Sequence, residues 1–247
     1  MQHDYAKQYG EFQKWHWWFR GRRQIIESVL QHKLGDKIPR TILSVGCGPS
    51  EGIEWLLPLT KGSGTILGLD ADRLHALQTP PGVHFVTGLL QEAPLADSSF
   101  DVVLALDVLE HIEDDVAALR GARRLLKKNG LLVVTVPALP ILWGGQDVVS
   151  QHFRRYTRRS LDTLFKAAGL ANYDINYFNT LLFPMAASVR LTTRVLGLNR
   201  SDNELKYSQP GMTNNFMARI FGSERHLINR ARMPIGVSLV ATFTSPD

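Results

Sequence analysis

Cysteine is nearly absent. Cys47 is the one thiol in 247 residues, so neither an internal disulfide framework nor a multi-cysteine zinc site holds this chain together, and a reducing cytoplasm is the expected compartment. Long apolar runs are lacking too. No stretch of about 18 apolar residues is available to span a bilayer, and the opening MQHDYAKQYGEF has no apolar signal-peptide core. There is no internal repeat and no low-complexity tract. Charge of one sign is only mildly in excess, with 28 Lys and Arg against 23 Asp and Glu for a net +5. The arginines are spread out and no Asn/Asp-Pro-Pro-Tyr-type base pocket occurs, so nucleic acid is not the favoured partner. His111, Glu113, Asp114 and Asp115 lack firm ligand spacing and read as ordinary residues of a helix start, so no metal is expected.

What is present is apolar material for a real core, 44% of the chain. Short apolar runs at 42–45, 65–70, 83–86, 100–106 and 131–136 alternate with segments of helical spacing, and 173–178 and 237–243 add two more strands. One helix runs from 116 to a stop at Lys127-Lys128-Asn129-Gly130, and another covers 158–168 before Gly169. The pattern predicts an α/β fold with a doubly wound, mostly parallel seven-stranded sheet and helices on both faces. The expected organisation is an N-terminal helical cap over 1–39, a core domain over 40–178 and 237–247, and a helical insertion over 179–236.

Within the core, TILSVGCGPSEG at 41–52 reads as a buried strand, a glycine turn and a helix. Gly46 and Gly48 let backbone N–H groups approach a nucleotide-type cofactor closely. Asp70, about 20 residues on and at the end of the second strand, suits two ribose hydroxyls, or alternatively caps the next helix. The glycines at 46, 48 and 52 give GxGxxxG, one residue longer than the dinucleotide spacing, which disfavours NAD. Asp107 closes the fourth strand and should converge on the same crevice.

The cap helix over 11–31 carries Trp15, Trp17 and Trp18 with Arg20, Arg22 and Arg23. Neighbours on a helix diverge by about 100°, so the three tryptophans cannot share one core face. They either pack the helix onto the main domain or form a lid whose Arg20 closes over a bound ligand. The insertion opens with an apolar helical stretch from Asn179 to Leu196 that has arginines on another face. It continues through a polar stretch from about Asn199 to Asn215 with the composition of a mobile segment. A substrate lid, a homodimer contact or a membrane-surface element all fit that helix. In the last case the chain would be peripheral to the inner face of the membrane.

Four stretches together, SVGCGPSEG, GLDAD, GLLQEAPLADSSFDVVLALDVLEHIEDD and RRLLKKNGLLVVTVP, resemble the class I seven-strand S-adenosylmethionine-dependent methyltransferases over about 40–178 with a closing strand at 237–244. WHWWFRGRR and HFRRYTRRSL extend the likeness to a subgroup of small bacterial methyltransferases. The resemblance implies S-adenosyl-L-methionine as cofactor. It would place the Gly46-Cys47-Gly48 backbone and Asp107 with Val108 at the methionine end, Asp70 on the ribose, and Ala71, Leu89 and Leu90 about the adenine. Two residues depart from the family pattern. Ser44 stands where an acid is usual and cannot neutralise the cofactor's ammonium, and Leu89 stands where an Asp usually follows Gly88.

Methyl transfer from a sulfonium needs positioning and desolvation, and a general base only for weakly acidic acceptors. His111, His152 and Tyr156 are the candidates for proton handling; Arg154 and Arg155 beside the last two suit an anionic or sugar-like acceptor. The expected function is methylation of a small molecule or of a sugar- or lipid-linked intermediate. The alternatives are a non-catalytic binding or scaffold member of the same fold and a nucleotide-dependent oxidoreductase.

Overall fold

Runs rich in Val, Ile and Leu become strands and amphipathic runs become helices. The order is α1 (Trp17–Leu34), β1 (Thr41–Val45), β2 (Thr65–Asp70), β3 (Val83–Thr87), β4 (Phe100–Leu106), α2 (Asp115–Leu125), β5 (Leu126–Pro137), α3 (Gly145–Val149), α4 (Arg158–Ala167), β6 (Tyr173–Phe178), α5 (Phe183–Val195), α6 (Met212–Ser223) and β7 (Ser238–Thr244). The computed structural model describes residues 11–48, 52–72, 81–195 and 209–247. The chain divides into two compact units. A sheet unit holds 34–136, 159–175 and 240–247, and a helical unit holds 1–33, 137–158 and 176–239; β6 and β7 pass from one unit to the other.

The seven strands run in the order β3-β2-β1-β4-β5-β7-β6. The β1–β2, β1–β4, β2–β3 and β4–β5 pairs are all parallel. Parallel strands covered on both faces need continuous apolar runs. Accordingly Ile42, Leu43, Val103, Leu104, Ala105, Leu132, Val133 and Val134 are all fully buried. The strand order reverses between β1 and β4, and in open α/β sheets ligands bind beyond the carboxyl ends at such a point. Helix α2 begins where Asp114 accepts the Ala117 N–H at 2.9 Å, and it buries Ala118, Leu119, Ala122 and Leu125.

Two expectations about this unit change. Helix α2 ends at Leu125 and β5 starts at Leu126, before the Lys-Lys-Asn-Gly stop. The reason is that Lys127 donates to Asp101 at 2.9 Å and to Thr41 at 3.0 Å, which draws it onto the strand ends, while Asn129 takes a left-handed φ of 57° where the β4–β5 register shifts. Beyond the glycine turn, the described chain is a 3-10 segment, Glu54–Thr60 containing Pro58, in place of an α-helix; residues 49–51 lie outside the described part. Apart from the early start of β5, the strands, including the short one over 83–86, sit within a residue or two of their expected limits.

The helical unit is stitched by side chains. His16 interrupts the helical run between residues 11–15 and α1, and its Nδ1 accepts the Trp18 N–H at 3.2 Å in the manner of an N-cap. Buried Asn214 on α6 accepts from Trp17 N–H and donates to the Trp15 carbonyl, both at 2.8 Å. Close approach of α1 and α6 requires Gly21, because a Cβ there would lie 2.3 Å from the Phe221 ring. The three tryptophans are each half-buried against different neighbours. Trp15 meets Phe12, Trp17 meets Phe221, and Trp18 carries the Arg22 guanidinium 4.5 Å above its ring. At the start of α5, buried Glu224 accepts the N–H groups of Thr180 at 2.7 Å and Leu181 at 2.8 Å. Of the stretch expected to be a mobile segment, 199–208 lies outside the described residues and 212–215 belongs to α6. Among the described residues no helix is long and apolar enough to cross a membrane.

Candidate functional site

In the sheet unit the turn after β1 is held open by backbone geometry. Gly46 and Gly48 have φ of 56° and 60°, a region costly for residues with a Cβ. A Cβ at Gly46 would also meet Val108 Cγ2 at 2.7 Å. The Gly46 N–H donates to the Leu69 carbonyl at 2.7 Å, and the Gly48 N–H to Asp70 Oδ2 at 2.8 Å. The other oxygen of Asp70 accepts the Asp72 N–H at 2.9 Å. Asp70 therefore organises its own turn, yet each ionised oxygen keeps a second lone pair for a hydroxyl. Asp107 follows β4 in a left-handed conformation, φ 57°, with its N–H on the Thr135 carbonyl at 2.9 Å.

Around this turn the sequence candidates divide. Cys47 is buried with Sγ against Gly68; burial, with Asp70 adding to it, pushes the thiol up, so only its backbone is available to a ligand. Val108 packs on Gly46, Ala71 is exposed, and Leu89 is an exposed apolar side chain in extended conformation. Leu90 is 2% exposed and belongs to the interior, which leaves Leu89 as the apolar group of that turn a ligand can touch. Ser44 is buried inside β1, paired with Gly68 and Leu104. His111 is half-buried in a 3-10 turn, Leu109–His111.

The helical unit contributes a different cluster. His152 Nδ1 lies 2.9 Å from Asp147 Oδ1. Asp147 is 1% exposed and also accepts from Arg155 Nε at 2.8 Å and from Arg190 at 3.3 Å. Burial alone would raise its carboxyl, but the hydrogen bond from His152 and the charges of Arg155 and Arg190 hold it well below the usual carboxylate range. With Asp147 ionised, His152 Nδ1 is the donor of that bond. Arg155 is locked further by the Ala138 carbonyl at 2.8 Å, and Arg190 reaches the Leu142 carbonyl at 2.6 Å. Tyr156 is 3% exposed; its backbone bridges to Ala138. Arg20 donates to Asn215 at 2.6 Å.

Asp147 and Arg190 escaped the sequence reading. A signal for Asp147 was there, because it is the one acid between 137 and 160, among four arginines and a histidine. Arg190 had none, since it comes from α5, 43 residues away.

A family model described as a methyltransferase domain matches residues 11–175. The chain belongs to this family. A probable S-adenosylmethionine-dependent methyltransferase of Mycolicibacterium smegmatis is 29% identical to this methyltransferase domain over 163 residues, 64% of the chain and 61% of the relative. A ubiquinone biosynthesis O-methyltransferase of Cereibacter sphaeroides is 33% identical over 99 residues, 37% of the chain and 39% of that protein. The chain thus spans less than two thirds of the length of these curated relatives. A methyltransferase structure from Thermotoga maritima superposes with a TM-score of 0.56 at 18% identity, over 99% of this chain and all of that one, which places the methyltransferase domain in the class I fold. The side-chain-free turn at Gly46 and the lone pairs left on Asp70 fit the nucleoside cofactor that the relatives' names specify.

Proposed function

We propose that this chain is an S-adenosylmethionine-dependent methyltransferase that methylates a hydroxyl of a small molecule or of a sugar- or lipid-linked intermediate. The observation that carries the choice of oxygen is the Asp147–His152 pair. A hydroxyl of ordinary acidity needs a base in the transition state, and an imidazole whose Nδ1–H is fixed by a buried carboxylate presents Nε2 for that task. The likeness to an O-methyltransferase named for ubiquinone biosynthesis supports the same reading.

When bound, S-adenosylmethionine supplies a methyl group on a sulfonium that leaves as a neutral thioether. The protein's part is to hold and to take a proton. The Gly46 and Gly48 backbone and Asp107 would receive the methionine end, Asp70 the ribose hydroxyls, and Ala71 and Leu89 the adenine. His152 Nε2 would accept the acceptor's proton as its oxygen bonds to the methyl carbon. Asp147 would stabilise the imidazolium formed, with Arg155 and Arg190 keeping that carboxylate ionised. Residues 138–158 follow β5 directly in the chain.

Calorimetric titration with S-adenosylmethionine or S-adenosylhomocysteine tests the first half. Binding is expected, weakened by about 1–3 kcal/mol in Asp70→Ala, and no binding at millimolar ligand overturns it in favour of a non-catalytic member of the fold. Turnover with hydroxyl acceptors tests the second. His152→Ala should lower kcat by roughly 10²–10⁴ with cofactor affinity unchanged, and undiminished turnover removes the base.

A further inference from the structure

Helix α5 turns an uncharged face to solvent. Pro184, Met185, Ser188, Val189, Leu191, Thr192 and Val195 are all exposed, and at 100° per residue they fill an arc of roughly 160°. No residue of α5 is fully buried. Arg190 points off this arc into its bond with Asp147, and Arg194 also falls outside it. Val189 and Val195 are 58% and 85% exposed. A solvated helix face ordinarily carries the charges, and here it carries none. Even the Ser188 hydroxyl is satisfied within the helix, donating to the Pro184 carbonyl at 2.7 Å. In the same unit α6 sets Met212 and Phe216 out at 90% and 64% exposure, with Arg219 one turn on from Phe216.

The charge of this stretch is mainly of one sign, with Glu27 of α1 close enough to act on Arg225. Residues 179–236 contain eight Lys and Arg against three Asp and Glu, a net +5 equal to that of the whole chain. Among the described residues of that stretch the acid is Glu224 alone, and it is buried, whereas Arg194, Arg219, Arg225, Arg230 and Arg232 are exposed. A cleft of about 340 Å³ in this unit is lined by Arg20, Gln24, Arg219, Ser223, Arg225 and His226, with no carboxylate on its walls.

We infer that the helical unit docks on an anionic bilayer surface, α5 and the tip of α6 entering the headgroup boundary with their apolar faces and the arginines, including those of the cleft, meeting lipid phosphates. Exposed Leu, Val, Met and Phe beside exposed cations, with no exposed acid among the described residues of 179–236, is the composition of an interfacial element. A second copy of this chain would bring the same +5 against itself, which is why lipid is the occupant argued for. The inference stands independently of the methyl-transfer reading.

Flotation with phosphatidylcholine vesicles containing 30% phosphatidylglycerol, against pure phosphatidylcholine vesicles, tests it. Binding is expected to the anionic vesicles only and to fall with added salt. Met185→Asp with Val189→Asp should reduce it at least tenfold, and each arginine among 194, 219, 230 and 232 changed to Gln should reduce it about fivefold. Circular dichroism checks that the variants stay folded; their altered side chains are exposed. No flotation of the native chain overturns the inference, as does flotation that both kinds of variant leave unchanged. Light scattering supplies a third arm. A dimer that Val189→Asp dissociates, in a chain that ignores vesicles, overturns it in favour of self-association.

Discussion

The two units are held by different physics. In the sheet unit the parallel strands bury unbroken runs of Val, Leu and Ile, and the polar side-chain bonds act at a rim, as where Asp101 accepts from Arg40, Thr41 and Lys127. In the helical unit three buried polar groups, Asp147, Asn214 and Glu224, join segments that lie 43 to 199 residues apart. Apolar burial is roughly proportional to area and fails by degrees. A buried ionic hub fails at once, because its remaining partners stay buried without a counter-charge.

Asp147→Ala therefore carries the largest expected effect. It strips the counter-ion from Arg155, 4% exposed, and from Arg190, 13% exposed, so a loss of about 3–5 kcal/mol is expected in urea unfolding. Asp147→Asn removes the counter-charge too but keeps an acceptor of the same shape and leaves no cavity, so it should cost somewhat less in stability. Its amide, however, can donate to His152 Nδ1 and select the wrong tautomer, so turnover should fall further than stability does. Equal, small losses for both variants would break the contrast between the units.

Gly46→Ala comes next and probes the sheet unit where shape rather than charge is at stake. The left-handed φ and the 2.7 Å approach to Val108 together should cost about 2–3 kcal/mol. Adding Val108→Ala removes the clash but not the φ penalty, so the double variant should recover stability only in part. Cofactor affinity should fall in both.

The same contrast explains what could be read in the sequence. Strand runs such as Thr65–Asp70 and Phe100–Leu106 announce themselves locally, because burial on both faces leaves little room for polar residues; the glycine turn and Asp70 follow from the glycine spacing and the position of an acid at the end of the second run. Where a side chain reaches across the chain, local pattern misleads. Lys127 looks like a helix C-terminal cation until Asp101 and Thr41 claim it for β5. Leu90 looks like a ligand contact beside Leu89, but neighbours in a turn point apart, and one is in the core. Arg190 and Glu224 are surface-like in sequence and become hubs only once α5 is placed against its own unit.

The smallest effect expected is a pH dependence of the helical unit through His16. The imidazole is buried and its Nδ1 accepts the Trp18 N–H, so burial lowers its pKa from 6.5 to about 4. In the unfolded chain His16 takes a proton below about 6.5. The folded state then binds fewer protons than the unfolded one between these values. Stability from this group is thus fully present above pH 6.5 and is lost progressively as pH falls to about 4. His16→Asn keeps a cap acceptor without a titrating ring, and should flatten the decline between pH 6.5 and 4 without lowering stability at pH 7 by more than about 1 kcal/mol. Trp15 and Trp17 lie with ring centroids 5.7 and 5.6 Å from His16, so tryptophan emission during urea unfolding reports this region directly. A decline of the same size in the Asn variant would move the acid sensitivity away from the cap of α1 and onto the carboxylates of the sheet unit.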